Sequence, residues 1–182
     1  MAMIHGRKTA RIHEIPLGLY ETGLIELVDM DEQVDQFEYG TSATVTLPHA
    51  ACSGEFLSFE FTSSVVPFFL PMEAFRGGGG SVNDWAGKLL IFDVDPLTTA
   101  GDAALAAAGA EHKTLVGIVD IPASAWVLDS AGGGAFVGDC QVPFHELTTA
   151  YFVWYHLDAE SINSDALDDE EIHVNAWIRL DT

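Results

Sequence analysis

The polar and apolar positions of this chain recur with a period of two over much of its length. In EEIHVNAWIRL (170–180), Ile172, Val174, Ala176, Ile178 and Leu180 fall on one face, and His173, Asn175, Trp177 and Arg179 on the other. TAYFVWYHL (149–157) sets Tyr151, Val153, Tyr155 and Leu157 against Phe152, Trp154 and His156. GEFLSFEFT (54–62) sets Leu57, Phe59 and Phe61 against Ser58, Glu60 and Thr62. Successive side chains of a strand point to opposite sides of a sheet, so each run predicts a half-buried β-strand. The same reading applies to 23–29, 41–47, 65–70, 88–95, 114–121, 124–129 and 134–139, which makes about ten strands punctuated by Gly, Pro, Asn and Asp.

One stretch departs from this period. TTAGDAALAAAG (98–109) is Ala-rich, starts near Thr99 or Asp102 and stops at Gly109, which predicts a short helix. Its single large apolar residue, Leu105, lets it cover little core. Strands do not alternate with helices, which argues against a doubly wound parallel sheet. The expectation is therefore an all-β protein: a single jelly-roll sandwich or barrel of about eight antiparallel strands with one short helical insertion. Segments 71–87, 96–113, 129–134 and 158–171 are too long for hairpin turns and belong at the ends of such a sandwich. The 182 residues suit one domain. We place it at 14–182, behind a basic arm at 1–13.

Charge changes the picture. The chain carries 7 Lys/Arg against 28 Asp/Glu, a formal charge of −21. Arg7, Lys8 and Arg11 lie in the first eleven residues, which hold no acid, so that segment is +3 and the remainder −24. A surface so one-sided repels itself and opposes compaction. Concentrated salt relieves this, because the Debye length drops from about 8 Å at 0.15 M to about 3 Å at 1 M. With 48% hydrophobic residues and only three lysines, the chain reads as a folded protein adapted to molar salt. Duplex nucleic acid is a poor partner for such a body. The arm is either a frayed end or a device that docks on something negative: an acidic subunit, a lipid headgroup surface or a nucleic acid.

Catalytic and metal-binding patterns are sparse. His145-Glu146 begins like HExxH, but residue 149 is threonine and the zinc spacing fails. His156 and His173 sit on separate strands. The Gly-rich stretches 75–85 and 129–139 lack the Gly-Lys-Ser/Thr of a phosphate loop and read as connections. The acidic stretch 157–173 offers oxygens for calcium without EF-hand spacing, and reads as a solvated loop. Cys52 and Cys140 fit no metal or redox spacing, and whether they meet is open. The residues at 1–15 contain no apolar run of signal-peptide length, and no stretch has the length of a membrane-spanning helix. No cofactor or metal is expected, and no enzyme activity.

In the N-terminal HGRKTARIHEIPL, in the strands GEFLSFEF, KLLIFDVD, TAYFVWYHL and EIHVNAWIRL, and in its acidity with few lysines, the chain resembles the smaller major capsid protein of haloarchaeal icosahedral viruses with an internal membrane. The resemblance implies a single β-barrel standing upright in the outer capsid shell of a virion. It implies pairing with a second, larger major capsid protein and with copies of itself in pseudo-hexameric capsomers above a lipid bilayer. It also implies that the arm contacts membrane-associated or minor capsid proteins, and that the barrel does not bind nucleic acid directly. Phe152, Trp154 and Trp177 lie on nominally outward faces, and are either the second side of a closed core or subunit contacts. Two other functions stand beside this one. One is a salt-adapted module that binds carbohydrate or another ligand through Trp85, Trp126 or Tyr151, and the other is a β-barrel enzyme.

Overall fold

The computed structural model describes residues 18–28, 33–66, 85–96, 114–129, 132–137, 140–159, 161–162 and 169–181. The basic arm at 1–13 and the predicted helix at 98–109 lie outside them. So do most of the Gly-rich stretch 75–85 and the acids between 163 and 168.

Among the described residues eleven strands form in chain order: β1 (Leu19–Glu21), β2 (Ile25–Val28), β3 (Ala43–Thr46), β4 (Cys52–Val66), β5 (Gly87–Phe92), β6 (Leu115–Ile121), β7 (Trp126–Asp129), β8 (Gly132–Val137), β9 (Val142–Leu147), β10 (Thr149–His156) and β11 (Asp169–Leu180). A single 3-10 turn at Ala123–Ala125 precedes β7, and the described residues contain no α-helix.

All ladders are antiparallel, and the strands divide between two sheets. The larger has the order β1-β11-β4-β8-β7, with β2 also pairing β11 and β9 also pairing β4. Thus β1 and β2 act as one broken strand along β11, and β9 and β8 as another along β4. The smaller sheet has the order β3-β10-β5-β6. The chain crosses between the sheets repeatedly; the consecutive strands that share a sheet are β1–β2 and β7–β8–β9 in the large one and β5–β6 in the small one. The two sheets pack face to face as a sandwich. Neither closes on itself, so the barrel half of the expectation is corrected: each sheet keeps two edges.

The core fills the gap between the sheets. From the large sheet come Leu27, Phe56, Phe59, Phe61, Phe144, Ile172, Val174, Ala176 and Ile178; from the small one Val45, Leu89, Ile91, Ala150, Phe152 and Trp154. Aromatic rings bridge the layers: Phe152 lies edge-on to Phe56 at 5.6 Å and to Phe59 at 6.0 Å, and Trp154 meets Phe61 at 6.2 Å. Such pairs contribute roughly 0.5–1.5 kcal/mol beyond area burial. Phe152 and Trp154 are fully buried. Of their two alternatives they take the closed core, because that face of β10 turns toward the large sheet. They are not exposed for subunit contact.

The predicted face of β11 agrees with the structure, and so does that of β4 at Phe59 and Phe61, but it slips by one residue at Leu57. The β4–β11 register shifts between Trp177 and Ile178, which pair with Ser58 and Phe56. The unpaired Leu57 is a bulge, so Phe56 takes the inward place the alternation assigned to Leu57. The runs 54–62 and 65–70 also merge, as β4 continues unbroken to Val66. Strand β9 escapes sequence reading altogether. Pro143 demotes the run, and Glu146, at φ +52°, adds a residue that lets Leu147 follow Val142 and Phe144 inward.

Candidate interaction surface

With the core assigned, function rests on what the two outer sheet faces and the sandwich ends display. On the large sheet, residues that pair across strands in outward positions form rows. Leu19, Arg179, Glu55 and Pro143 make one row, and Glu21, Trp177 and Ser58 the next. Asn175 and Glu60 make a third. Arg179 pairs with Glu55. Asn175 is buried although it faces outward, and its Nδ2 donates to Glu21 Oε1 at 2.6 Å. Thr22 Oγ1 accepts the Ala176 N–H at 2.9 Å, so the β1–β2 connection is tied to β11 by polar contacts. Trp177, the third proposed contact residue, is half-buried in the middle of this acidic face.

The small sheet presents a different outer face. Tyr155, Lys88 and Asp120 form one row and Val153, Leu90 and Ile118 the next; Tyr151 and Phe92 follow, with Leu115 beside them across a bulge. Leu90, Phe92 and Val153 are buried as a second apolar cluster, against which Tyr39, Leu115, Tyr151 and Tyr155 pack. Ile118 is 50% exposed. Lys88 and Asp120 form an ion pair. Lys88 and Arg179 are the two Lys/Arg among the described residues, and both face carboxylates.

Gly18 is the first described residue. Its carbonyl accepts the Leu180 N–H at 2.7 Å, so the described chain begins at the edge of the large sheet, beside the end of β11. Arg7, Lys8 and Arg11 lie outside the described set.

Of the aromatic residues considered for a ligand platform, Trp85 and Trp126 are buried, with Trp126 Nε1 donating to the Trp85 carbonyl at 2.9 Å. They offer no open ring face. Tyr151 is half-buried on the small sheet.

Ser53 and His145 make the nearest approach to a nucleophile–base pair, with Ser53 Oγ and His145 Nδ1 2.8 Å apart. The Glu146 N–H donates to the same hydroxyl at 3.2 Å, and Glu146 Oε1 lies 3.9 Å from His145 Nε2. His145 is open to water, with 82% of its side chain exposed, and Glu146 is similarly exposed. Catalysis by such a pair gains from exclusion of water, whereas His145 and Glu146 stand open to solvent.

No group of three or more His, Cys, Asp or Glu converges as a metal site among the described residues. No helix among them is long and apolar enough to cross a membrane. His156 is a buried core histidine: Trp154 Nε1 donates to its Nδ1 at 3.4 Å, and its ring meets Trp85 edge-on at 6.5 Å.

The two cysteines are free thiols. Cys140 N–H donates to the Leu57 carbonyl, five residues along β4 from Cys52. At roughly 3.3 Å per residue this is far beyond a disulfide's reach.

Sequence reasoning missed Phe37. It projects from the connection between β2 and β3 with 58% of its surface exposed and φ +69°. A glycine there would have marked the turn; a phenylalanine amid MDEQVDQFEYG carries no such signal.

No protein-family model matches this chain, and no curated protein matches it significantly.

Proposed function

We propose that this protein is a structural subunit of an icosahedral virion: a capsid protein of a halophilic archaeal virus, built as a single jelly roll and working by association rather than catalysis. The observation that carries the reading is the path of the chain through the sheets. The order β1/β2–β11–β4–β9/β8 against β3–β10–β5–β6 is the arrangement expected of two interlocked Greek keys. Viral shells use that architecture widely, although fold alone does not assign function.

Three further features support it. The sandwich spends most of its described aromatic residues on the core between its sheets. Its charge of −21 suits molar salt. Its basic arm precedes a body whose first described residue, Gly18, sits at a sheet edge, and a charged arm can add avidity between neighbouring copies. In this reading the partners are a second, larger barrel protein and further copies of this chain, grouped in pseudo-hexameric capsomers. The arm meets membrane-associated or minor capsid proteins beneath them, and the body stands in the outer shell.

Particles purified from the protein's native source at high salt test this directly. Electron microscopy with this chain located in the shell density is the expected result. A chain recovered only outside particles, as a soluble monomer, overturns the assignment.

A further inference from the structure

The sheet edges differ in how far they are blunted. The β1/β2 edge is interrupted between Glu21 and Ile25 and carries Glu21 and Glu26. Strand β7 has four residues and ends on Asp129, and β3 has four and exposes Thr44 and Thr46. Short, broken or charged edges are the usual protection against pairing with another chain. Strand β6 differs. It runs for seven residues, LVGIVDI, with no proline and one acid, and Ile118 is 50% exposed. That acid, Asp120, is ion-paired with Lys88 of the neighbouring β5.

Backbone bonds fix which amide groups of β6 are already engaged. The Leu157 N–H donates to the Ala86 carbonyl and the Asp93 N–H to the Thr114 carbonyl, both at 2.9 Å. Amide groups alternate in direction along a strand, so residues 86, 88, 90 and 92 turn theirs to β10, and 87, 89 and 91 turn theirs to β6. The β6 partners of those three are Ile121, Val119 and Gly117. The N–H and C=O of Ile118 and Asp120 therefore point away from the sheet, and no described residue bonds them. The register shift between Ile91 and Phe92 ends the regular edge on one side of Gly117, and Pro122, which has no N–H, ends it beyond Ile121.

We propose that β6 pairs antiparallel with β6 of a second copy of this chain, about a twofold axis at Val119. The edge itself selects that occupant. Its outward groups lie symmetrically about Val119, so a copy turned by half a revolution sets Ile118 opposite Asp120 and Asp120 opposite Ile118. Each such pair exchanges both backbone hydrogen bonds, and every outward group between Gly117 and Ile121 gains a partner. The register also keeps the two Asp120 carboxylates out of direct opposition, which like charges disfavour. A chain of formal charge −21 repels its own copy, and at the β6 edge the one acid is already offset by Lys88. The contact is isologous and joins the four-stranded sheets of two copies edge to edge. It goes beyond the subunit reading and does not depend on it.

The test is sedimentation velocity of the purified full chain in about 2 M NaCl, which screens its repulsion, together with amide hydrogen exchange at low and high protein concentration. The unsubstituted chain is expected to form dimers, and protection of the Ile118 and Asp120 amides is expected to rise with the dimer fraction. Gly117, Val119 and Ile121, whose amides bond β5, are expected to be protected in monomer and dimer alike. Ile118→Pro removes one outward N–H from each copy and leaves the β5 ladder its donors, and is expected to weaken dimerisation at least about tenfold. Ile118→Thr keeps the backbone and a β-branched side chain, and is expected to retain most of the association.

A chain that sediments as a monomer at every concentration overturns the contact. So does a dimer in which the Ile118 and Asp120 amides exchange as fast as in the monomer. An Ile118→Thr variant that loses association as fully as Ile118→Pro also overturns it, since a side-chain patch would then hold the copies together. Should the proline lower the melting temperature, the exchange measurement on the unsubstituted chain decides alone. The particle imaging above judges the subunit reading separately.

Discussion

The indole of Trp154 occupies the space that a Cβ on Gly87 would need, with three ring carbons inside contact distance of that position. Gly87 is the residue of β5 paired with His156, and it is buried. Replacing it with alanine forces the largest core side chain off its place between Phe61 and His156. We expect Gly87→Ala to destabilise the fold by about 1–3 kcal/mol, the usual cost of overpacking. Denaturant unfolding checks this: the midpoint falls while the slope stays constant.

The Tyr39 and Tyr155 rings lie 4.8 Å apart. Burial, and secondarily the charge of Tyr155, push the Tyr39 hydroxyl above the ordinary tyrosine value of 10.0. The neutral form is thus favoured more in the folded than in the unfolded chain. The stability this contributes is complete below pH 10 and is lost as pH rises through the folded value. Ultraviolet titration is expected to show one tyrosine ionising late, and Tyr39→Phe is expected to remove that component and to flatten the alkaline fall in stability.

Asp35 responds at the opposite end of the scale. Hydrogen bonds from Ser161 and Gln33, with a smaller contribution from His156, hold its carboxyl below the ordinary value of 3.8. Its stabilising effect on the turn is present above pH 3.8 and disappears as pH falls through the folded value. The NMR signals of Phe37 and Glu38 are expected to shift in that acid range, and Asp35→Asn is expected to abolish the shift. No shift in either protein would show that the hydrogen bonds do not hold the turn.

Salt is expected to stabilise this protein. The Lys88–Asp120 and Arg179–Glu55 ion pairs are partly exposed, and each contributes about 0–1 kcal/mol that salt screens. Against them stands the repulsion of a chain with a formal charge of −21. Screening both favours the folded state, since the repulsion is summed over the whole surface. The melting temperature is expected to rise between 0.1 M and 2 M NaCl. A flat or falling curve would show that the carboxylates are already spaced or paired well enough in dilute buffer.

Side-chain alternation alone determined the class of this protein and the inward face of β11. Ile172, Val174, Ala176 and Ile178 are apolar at every second place, and a period of two leaves a strand only one way to bury them. Composition likewise determined the acidic exterior and the basic arm. Tertiary structure decided the rest, because both faces of β10 are apolar and periodicity cannot say which one meets a partner sheet. It turned Phe152 and Trp154 inward, left Val153 to a smaller outer cluster, and kept Trp177 half-buried on an acidic face. It also placed the Leu57 bulge and turned Leu147 inward past Glu146, since the register of one strand depends on hydrogen bonds with another far away in sequence. Phe37 belongs to the same category: residues 33, 35, 36, 38, 156, 157 and 161 together hold a phenylalanine where local preference alone would call for glycine.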